Sequence, residues 1–203
     1  MDEKINKRTS LYAVASRILI KLDTMKNEPL KKATLANLRN SINKPLVDNM
    51  DAFAFIFENM PEEFLGNSSK LSKEELAIIT SLQLYALHQQ GISESVLTDE
   101  ENRWQNMGYS LKILRDVEDS KAIDRRFNAM ITASTYEEFS HYLRQMVSLL
   151  KAKKKNQAKV SYAKLAEDLF YYLLGYQESI RLKWSRNYYS FKKIEKGEEN
   201  EEE

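Results

Sequence analysis

The chain has 203 residues, with 31 Lys and Arg side chains against 30 Asp and Glu side chains, for a formal net charge of +1. It contains no cysteine, which excludes disulfides, thiolate metal sites and thiol nucleophiles. A hydrophobic content of 42% is enough for a sizeable core, whereas the longest apolar run, residues 52–57, is far too short to span a membrane.

Helices are predicted along the whole chain. Five glycines and three prolines leave few turns for hairpins or βαβ crossovers, and apolar residues recur at spacings of three or four. The sequence therefore predicts an all-α fold, a multi-helix bundle that could form two packed helical subdomains. Three capping boxes, each a Ser or Thr followed three positions later by Glu, should each open a helix. They are Ser72–Glu75, Thr98–Glu101 and Thr135–Glu138.

The N-terminal half begins Met-Asp-Glu-Lys with no apolar signal region behind it, so we expect a cytoplasmic protein. Its first helix should bury Leu11, Val14, Ile18 and Leu22 on one stripe. Gly91 is a plausible C-cap for the last helix of this half. The predicted helices cover residues 3–26, 31–41, 48–58 and 72–90.

The C-terminal half follows a short stretch, Gly91 to Thr98, that is either a boundary between subdomains or an ordinary loop. We predict an N-terminal helical subdomain over residues 1–92 and a basic helical bundle over 98–196. The acidic tail, 197–203, has no apolar residue and should be disordered. Predicted helices of this half cover 99–116, 121–133, 136–153, 161–174 and 177–195.

Charge is distributed unevenly along the chain. Residues 1–102 carry a net charge of −3, residues 103–196 a net of +9, and the tail a net of −5. An asymmetry of this kind points to contact with nucleic acid or a membrane surface. Because no helix-turn-helix or zinc-finger signature is present, we expect contact with the nucleic-acid backbone rather than reading of bases.

Catalytic and metal-binding patterns are not found. The glycines are isolated, so no phosphate loop is formed, and neither a nucleophile elbow nor an HExxH motif occurs. His88 and His141 match no metal-ligand spacing, and His141 is expected at or near the surface. Asp168 lies in an apolar run and is expected to be a buried, paired carboxylate. The sequence therefore predicts no enzyme, metal or cofactor.

Basic residues are the more informative set. His141, Arg144, Ser148, Lys151 and Lys155 share a face of the helix over 136–153. In the last helix Arg186, Tyr189 and Lys193 align, and a phenol between cations suits stacking on an unpaired base. Arg125 and Arg126 are adjacent and point in different directions, so one can bind phosphate while the other, Arg126 in particular, pairs with an internal carboxylate.

Several segments of the C-terminal half together resemble one known family. They are residues 107–115, 124–127, 142–151, 162–169 and 183–189, and in the N-terminal half Leu38-Arg39 adds a weaker similarity. Their order and spacing resemble the small-subunit family of the type I-E CRISPR Cascade complex, the CasB proteins. The positions that match the family pattern are Gly108, Leu111, Arg125, Arg126, Leu143, Arg144, Asp168, Trp184 and Tyr188.

This resemblance implies a non-catalytic subunit of an RNA-guided antiviral complex. Its partners would be the guide RNA, the target DNA, other Cascade subunits and a second copy of itself, and it would help to hold the guide–target duplex and the displaced strand. Asp168 and Trp184 are assigned to packing. The predicted nucleic-acid ligands are Arg39, Lys112, Arg115, Arg125, Arg126, Arg144, Lys151, Lys154, Lys155, Arg186 and Lys193.

Two other classes of function stay open at this point. A basic helical face also fits an acidic protein partner, so the chain could be a protein-interaction module. A hydrolase with an unrecognised carboxylate site would need metal-dependent turnover that depends on Asp168. Lys112 stands where the family tends to have arginine, which puts a bidentate phosphate contact there in doubt.

Overall fold

A computed structural model describes residues 9–44, 50–116, 120–155 and 157–190. All regular elements in these ranges are helices, which confirms the all-α prediction, and the one β-type contact is an isolated bridge between Leu97 and Val160. Short 3₁₀ turns cover Glu62–Phe64 and Ile113–Asp116. The α-helices are α1 Leu11–Asp23, α2 Glu28–Asn40, α3 Met50–Phe57, α4 Lys73–Gln89, α5 Met107–Lys112, α6 Ser120–Ile131, α7 Tyr136–Lys154, α8 Tyr162–Leu173 and α9 Gln177–Tyr189.

Two of the three predicted capping boxes open helices. Ser72 Oγ accepts from Glu75 N at 2.9 Å while Ser72 N donates to the Glu75 carboxylate, so the reciprocal box at the start of α4 is complete. Thr135 Oγ1 likewise accepts from Glu138 N at 3.1 Å at the start of α7, although the Glu138 carboxylate accepts from Ser134 N instead. Gly91, after α4, adopts φ +74°, as expected of a glycine that ends a helix.

The third predicted capping box is wrong. Thr98 N donates to the carbonyl of Val160, and Asp99 Oδ1 accepts from Asn102 N, so the chain forms a turn rather than a helix at this point. The helix begins only at Met107, where Asn106 Oδ1 accepts from Tyr109 N. Tertiary pairing with Val160 therefore overrides the local capping signal.

The other predicted helices have their expected positions, with shifts of one to a few residues at most ends. The first is shorter than predicted because Ser10 caps it and it begins at Leu11; residues 1–8 lie outside the described residues. Residues 48 and 49 of the predicted third helix also lie outside them. So do Phe191 and Lys193 of the predicted last helix and the acidic tail.

Helix α8 lies at the centre of the packing. It contacts α1 and α4 on one side and α9 on the other, so elements from both halves of the chain share one buried core. Tyr162 at its start is fully buried, and Ser81 of α4 donates to the Tyr162 carbonyl at 2.6 Å. The division into two subdomains stays a prediction.

Helices α5 and α9 cross in unusually close contact. A Cβ added at Gly108 would lie 2.0 Å from the carbonyl oxygen of Trp184, so only glycine permits this approach. The Trp184 indole is fully buried and donates from Nε1 to Asp168 Oδ2 at 2.8 Å, while Lys164 Nζ lies 2.6 Å from Asp168 Oδ1. Asp168 is therefore buried and paired, and Trp184 packs in the core, as the sequence predicted.

Candidate nucleic-acid interface

Helix α7 has the apolar and polar faces that the sequence predicted. Phe139, Leu143, Met146 and Leu150 are buried, and the opposite side carries His141 and the cations. Arg144 donates to His141 Nδ1 at 3.1 Å, one turn away. His141 is exposed, as expected. The buried face fixes the rotation of α7, so that Arg144 and Lys151, seven residues apart, lie along its outer side.

Arg39 of α2 lies near this row of cations, although more than a hundred residues separate it from Arg144 in sequence. Burial, together with the positive charge of Arg39, lowers the pKa of Lys151. Burial also lowers the pKa of Arg39. Lys151 Nζ donates to Gln90 Oε1 at 2.9 Å, and neither cation has a carboxylate partner among the described residues. Arg39 and Lys151 are therefore close enough for their positive charges to influence each other.

A hollow of about 250 Å³ lies between the end of α2, helix α4 and the first turns of α7, and its lining includes the acidic residue Glu137. Arg144 and the exposed Lys44 are in its lining, together with Ser41 and Gln83, whose side chains are joined by a 2.9 Å hydrogen bond. Lys44 was not predicted as a ligand, because its place beside Arg144 depends on how α2 packs. We call Arg39, Lys44, Arg144 and Lys151 the α2–α7 cluster.

Arg125 and Arg126 project from α6. The helix buries Ile123, Phe127 and Met130, which leaves both arginines exposed. No ion pair or side-chain hydrogen bond engages either residue within the described ranges. The alternative in which Arg126 pairs with an internal carboxylate is therefore not what the structure shows.

Arg115, in contrast, is engaged inside the protein. Its Nε lies 3.1 Å from Asp124 Oδ1, and its guanidinium lies over the rings of Tyr188 and Tyr189, at 5.5 and 5.0 Å from their centroids. Asp124 also accepts from the Tyr188 hydroxyl at 2.8 Å. The internal carboxylate expected near the arginine pair thus binds Arg115 rather than Arg126.

Tyr189 is not the open stacking ring that the sequence suggested. Its hydroxyl donates to Asn128 Oδ1 at 2.9 Å, its ring meets Phe127 edge-on, and the Arg115 guanidinium lies over it. These contacts tie the Tyr189 side chain to α6 and to the turn after α5, although 37% of the residue stays exposed. Its predicted neighbour Lys193 lies outside the described residues.

Lys112 and Arg186 lie where α5 meets α9. Lys112 Nζ donates to Ser190 Oγ at 3.0 Å, and Arg186 is exposed one turn before Ser190. Lys183 is exposed three residues before Arg186 and was not predicted, since a lone lysine carries no signal in sequence. The last predicted ligands, Lys154 and Lys155, are at the C-terminal end of α7, where Lys155 is exposed and Lys154 half-buried.

Arg181 is a cation that faces inward. Its guanidinium donates to the carbonyl of Ala133 and to the Tyr172 hydroxyl, and it lies 5.5 Å from the centre of the Tyr172 ring. Because these contacts join α9 to the end of α6 and to α8, Arg181 stabilises the packing of the helices and is not counted among the candidate ligands.

Within the described ranges, no three His, Cys, Asp or Glu side chains lie close enough together to hold a metal ion. In the same part of the chain, none of the helices combines the length and the apolar character needed to cross a bilayer.

Comparison with known families identifies one match. The family model for the CRISPR-associated protein Cse2 matches residues 34–189, which is more than half of the chain. This match includes both the α2–α7 cluster and the α6 arginine pair, and it confirms the family resemblance that the sequence motifs indicated. Comparison with curated proteins gives no significant match.

Several solved structures share the fold. CasB from Thermobifida fusca has 22% sequence identity and a TM-score of 0.65, over 89% of this chain and 96% of that one. A CRISPR-associated protein of the Cse2 family from Thermus thermophilus has 21% identity and a TM-score of 0.61, over 86% and 97%. A chain of a CRISPR RNA-guided surveillance complex has 16% identity and a TM-score of 0.64, over 88% and 93%.

Proposed function

Because the chain belongs to the CRISPR-associated Cse2 family, we propose that it is a non-catalytic subunit of an RNA-guided surveillance complex and binds nucleic acid through phosphate contacts. It would stabilise the duplex of guide RNA and target DNA and the DNA strand that this duplex displaces. Its partners would be these nucleic acids, other subunits of the complex and a second copy of the chain. One of the similar structures is itself a chain of a CRISPR RNA-guided surveillance complex, which supports this proposal.

Cations without carboxylate partners, some exposed and some half-buried, are the observation that carries this proposal. Of the ten predicted ligands that lie in the described residues, Arg115 alone is bound to a carboxylate. Arg125, Arg126 and Arg186 extend into solvent, although acidic residues are as frequent as basic ones in the whole chain. Free guanidinium groups offer bidentate donors that match the geometry of phosphate oxygens.

Backbone contact, rather than reading of bases, follows from how these cations are arranged. They belong to separate groups on α6, on α7 with α2, and on α9 with α5, instead of forming one recognition helix. Contacts of this kind position a protein on nucleic acid without selecting its sequence. Such a subunit suits an assembly in which the guide RNA selects the target by base pairing.

A modest binding energy is sufficient for this role. Replacing a DNA duplex with an RNA–DNA duplex is nearly balanced in free energy, so contacts to the heteroduplex and to the displaced strand can tip the exchange. Each phosphate contact also releases condensed counterions. The entropy of this release favours binding, and it does so more strongly as the salt concentration falls. A protein with several unpaired cations can therefore stabilise the open state without catalysing any step.

The proposal is tested by removing charge at the proposed sites and at matched positions elsewhere. One variant carries Arg125→Gln and Arg126→Gln, a second carries Arg144→Gln and Lys151→Gln, and the control carries Lys26→Gln and Lys70→Gln. Lys26 and Lys70 are exposed in the N-terminal half, so the control loses the same net charge. Binding of the purified protein to single-stranded DNA and to an RNA–DNA duplex is measured by fluorescence anisotropy.

We expect each site variant to bind about tenfold or more weakly, because two charge-assisted hydrogen bonds are lost, and the control to bind nearly as the wild type. Equal effects in all three variants would mean that net charge alone is responsible. Unchanged binding in both site variants would favour the alternative, in which the same basic surface binds an acidic protein.

A further inference from the structure

The packed helices α5 and α9 carry an exposed aromatic ring and several cations. Tyr109 and Lys112 are one turn apart on α5, and Lys183 and Arg186 are one turn apart on α9. We call these four residues the α5–α9 surface. Tyr109 is not among the ligands predicted from the sequence.

The two helices hold this surface rigidly. Gly108 contacts the backbone of Trp184 so closely that the helices cannot shift apart without opening a buried contact. Lys112 Nζ reaches Ser190 Oγ at 3.0 Å, which places it at the side of α9 that carries Arg186. The cations of α5 and α9 are therefore neighbours on one face.

The Tyr109 ring is open to solvent, with 47% of the residue exposed. Its backbone N–H donates to Asn106 Oδ1 at 3.1 Å, so the start of α5 fixes the residue in place. Neither its ring nor its hydroxyl contacts another side chain by a hydrogen bond or aromatic pairing within the described residues. The ring of Tyr189, by comparison, is engaged by Asn128, Phe127 and Arg115.

Carboxylates are scarce on both helices. Helix α5 has none, and the one acidic residue of α9 is Glu178, in its first turn, two turns before Arg186. Glu178 lies 3.4 Å from Arg181, a cation outside this surface. A phosphate at Lys112 and Arg186 thus meets no nearby negative charge on these helices.

We propose that the α5–α9 surface binds single-stranded nucleic acid, with an unpaired base stacked on Tyr109 and adjacent phosphates on Lys112 and Arg186. This deepens the function proposed above and rests on it, because it assigns one of the basic surfaces to a class of ligand. In a duplex both faces of each base are covered by its neighbours, so the ring can stack only on a base that is unpaired. The combination of an open aromatic ring and flanking cations is typical of sites that bind single strands without sequence preference.

The experiment compares an oligo-dT strand with a duplex of the same length, using the full-length chain. The variants are Tyr109→Ala and Tyr109→Phe, and the control is Tyr176→Ala, which removes a 59% exposed tyrosine beyond the other end of α9. Stacking on one base contributes enough for Tyr109→Ala to weaken single-strand binding about tenfold or more. Tyr109→Phe keeps the ring and should bind as the wild type, and duplex binding should change little in any variant.

A second measurement reports stacking directly. An oligonucleotide with 2-aminopurine in place of one thymine fluoresces less when that base stacks on a ring. Quenching on binding should occur with the wild type and with Tyr109→Phe and should be reduced with Tyr109→Ala. The unfolding midpoint of each variant confirms that it is folded.

Two results would overturn the inference. In the first, Tyr109→Ala binds the single strand as tightly as the wild type, while Lys112→Gln and Arg186→Gln bind it more weakly. Phosphate binding at this surface would then be supported and base stacking on Tyr109 contradicted. If Tyr109→Ala leaves oligonucleotide binding intact but prevents assembly with partner subunits, the surface is a protein contact. Neither result removes the function proposed above, which is tested at Arg125, Arg126, Arg144 and Lys151.

Discussion

Arg115 and Asp124 form an ion pair, with 3.1 Å between Arg115 Nε and Asp124 Oδ1, that joins the 3₁₀ turn after α5 to α6. The Tyr188 hydroxyl donates to the same carboxylate oxygen, which brings α9 into the contact. Arg115, which lies in the stretch that carries the family motifs, thus helps to hold three elements together. Arg125 and Arg126, which follow Asp124 in sequence, make no such contact within the described residues.

Replacing Arg115 should therefore lower the stability of the fold, whereas replacing Arg125 should leave the stability nearly unchanged. Replacement Arg115→Ala leaves Asp124 without its ion-pair partner and should lower the free energy of unfolding by about 1–3 kcal/mol. Arg125→Ala, at an exposed position, should change it by less than about 0.5 kcal/mol. Urea unfolding of the two variants measures this difference. Equal stability would show that the Arg115–Asp124 pair contributes nothing to the fold.

A methyl group at Gly108 should be poorly tolerated. In Gly108→Ala the new Cβ would lie 2.0 Å from the Trp184 carbonyl oxygen, so α5 and α9 must separate. We expect a loss of about 3 kcal/mol or more, because the contact is between backbones and cannot be relieved by a side-chain rotation. Gly66→Ala is a milder comparison, since its nearest contacts lie at 3.1 and 3.2 Å, and it should lower the midpoint less. A thermal unfolding midpoint of Gly108→Ala equal to that of the wild type would contradict the close crossing.

Loss of the Asp168 carboxylate should also destabilise the chain. Burial raises the pKa of Asp168, but Lys164 and the Trp184 indole bind its two oxygens. Asp168→Ala leaves the buried Trp184 indole N–H without an acceptor and removes one of the two carboxylate partners of Lys164, which keeps Glu167, and it should cost about 3 kcal/mol. The effect is measured by urea unfolding. If Asp168→Ala were as stable as the wild type but abolished a metal-dependent turnover, Asp168 would be catalytic instead of structural.

His88 should make stability depend on pH. Burial, with Lys151 and Lys159 nearby, lowers the pKa of His88 from 6.5 to about 4. Between these pH values the unfolded chain binds a proton that the folded chain does not. The free energy of unfolding should therefore fall as the pH is lowered from about 6.5 towards 4, by up to about 1.4 kcal/mol per pH unit from this residue.

A variant isolates the contribution of His88. His88→Asn retains a polar group for the Tyr162 hydroxyl, which lies 3.0 Å from His88 Nδ1, but cannot titrate. Urea unfolding of the variant should show a shallower dependence on pH than the wild type over this range. The same slope in both proteins would assign the effect to carboxylates elsewhere.

The helices were predictable where local chemistry decides them. Ser72 and Thr135 open helices as predicted, because each cap needs only residues three or four positions apart. Thr98 carries the same local signal and fails, because its N–H pairs with Val160, some sixty residues later in the chain. A contact that remote leaves no pattern near Thr98 in the sequence.

The proposed interface was predictable only in part for the same reason. The sequence identified Arg125, Arg126 and Arg144 by charge and by motif. It could not show that Asp124 binds Arg115, since that pairing depends on the fold of the turn after α5 and on Tyr188. Nor could it show that the Tyr189 side chain is engaged by Asn128, Phe127 and Arg115 while that of Tyr109 is not, because these contacts depend on how α6 packs against α9.

The salt dependence of single-strand binding tests the central claim most directly. The affinity of the wild type for an oligo-dT strand is measured between about 50 and 200 mM salt, beside the Arg125→Gln, Arg126→Gln variant. Each phosphate contact should contribute about −0.7 to the slope of log affinity against log salt, so the variant should have a slope shallower by about 1.4. A wild-type slope near zero, or the same slope in both proteins, would contradict phosphate binding by these arginines.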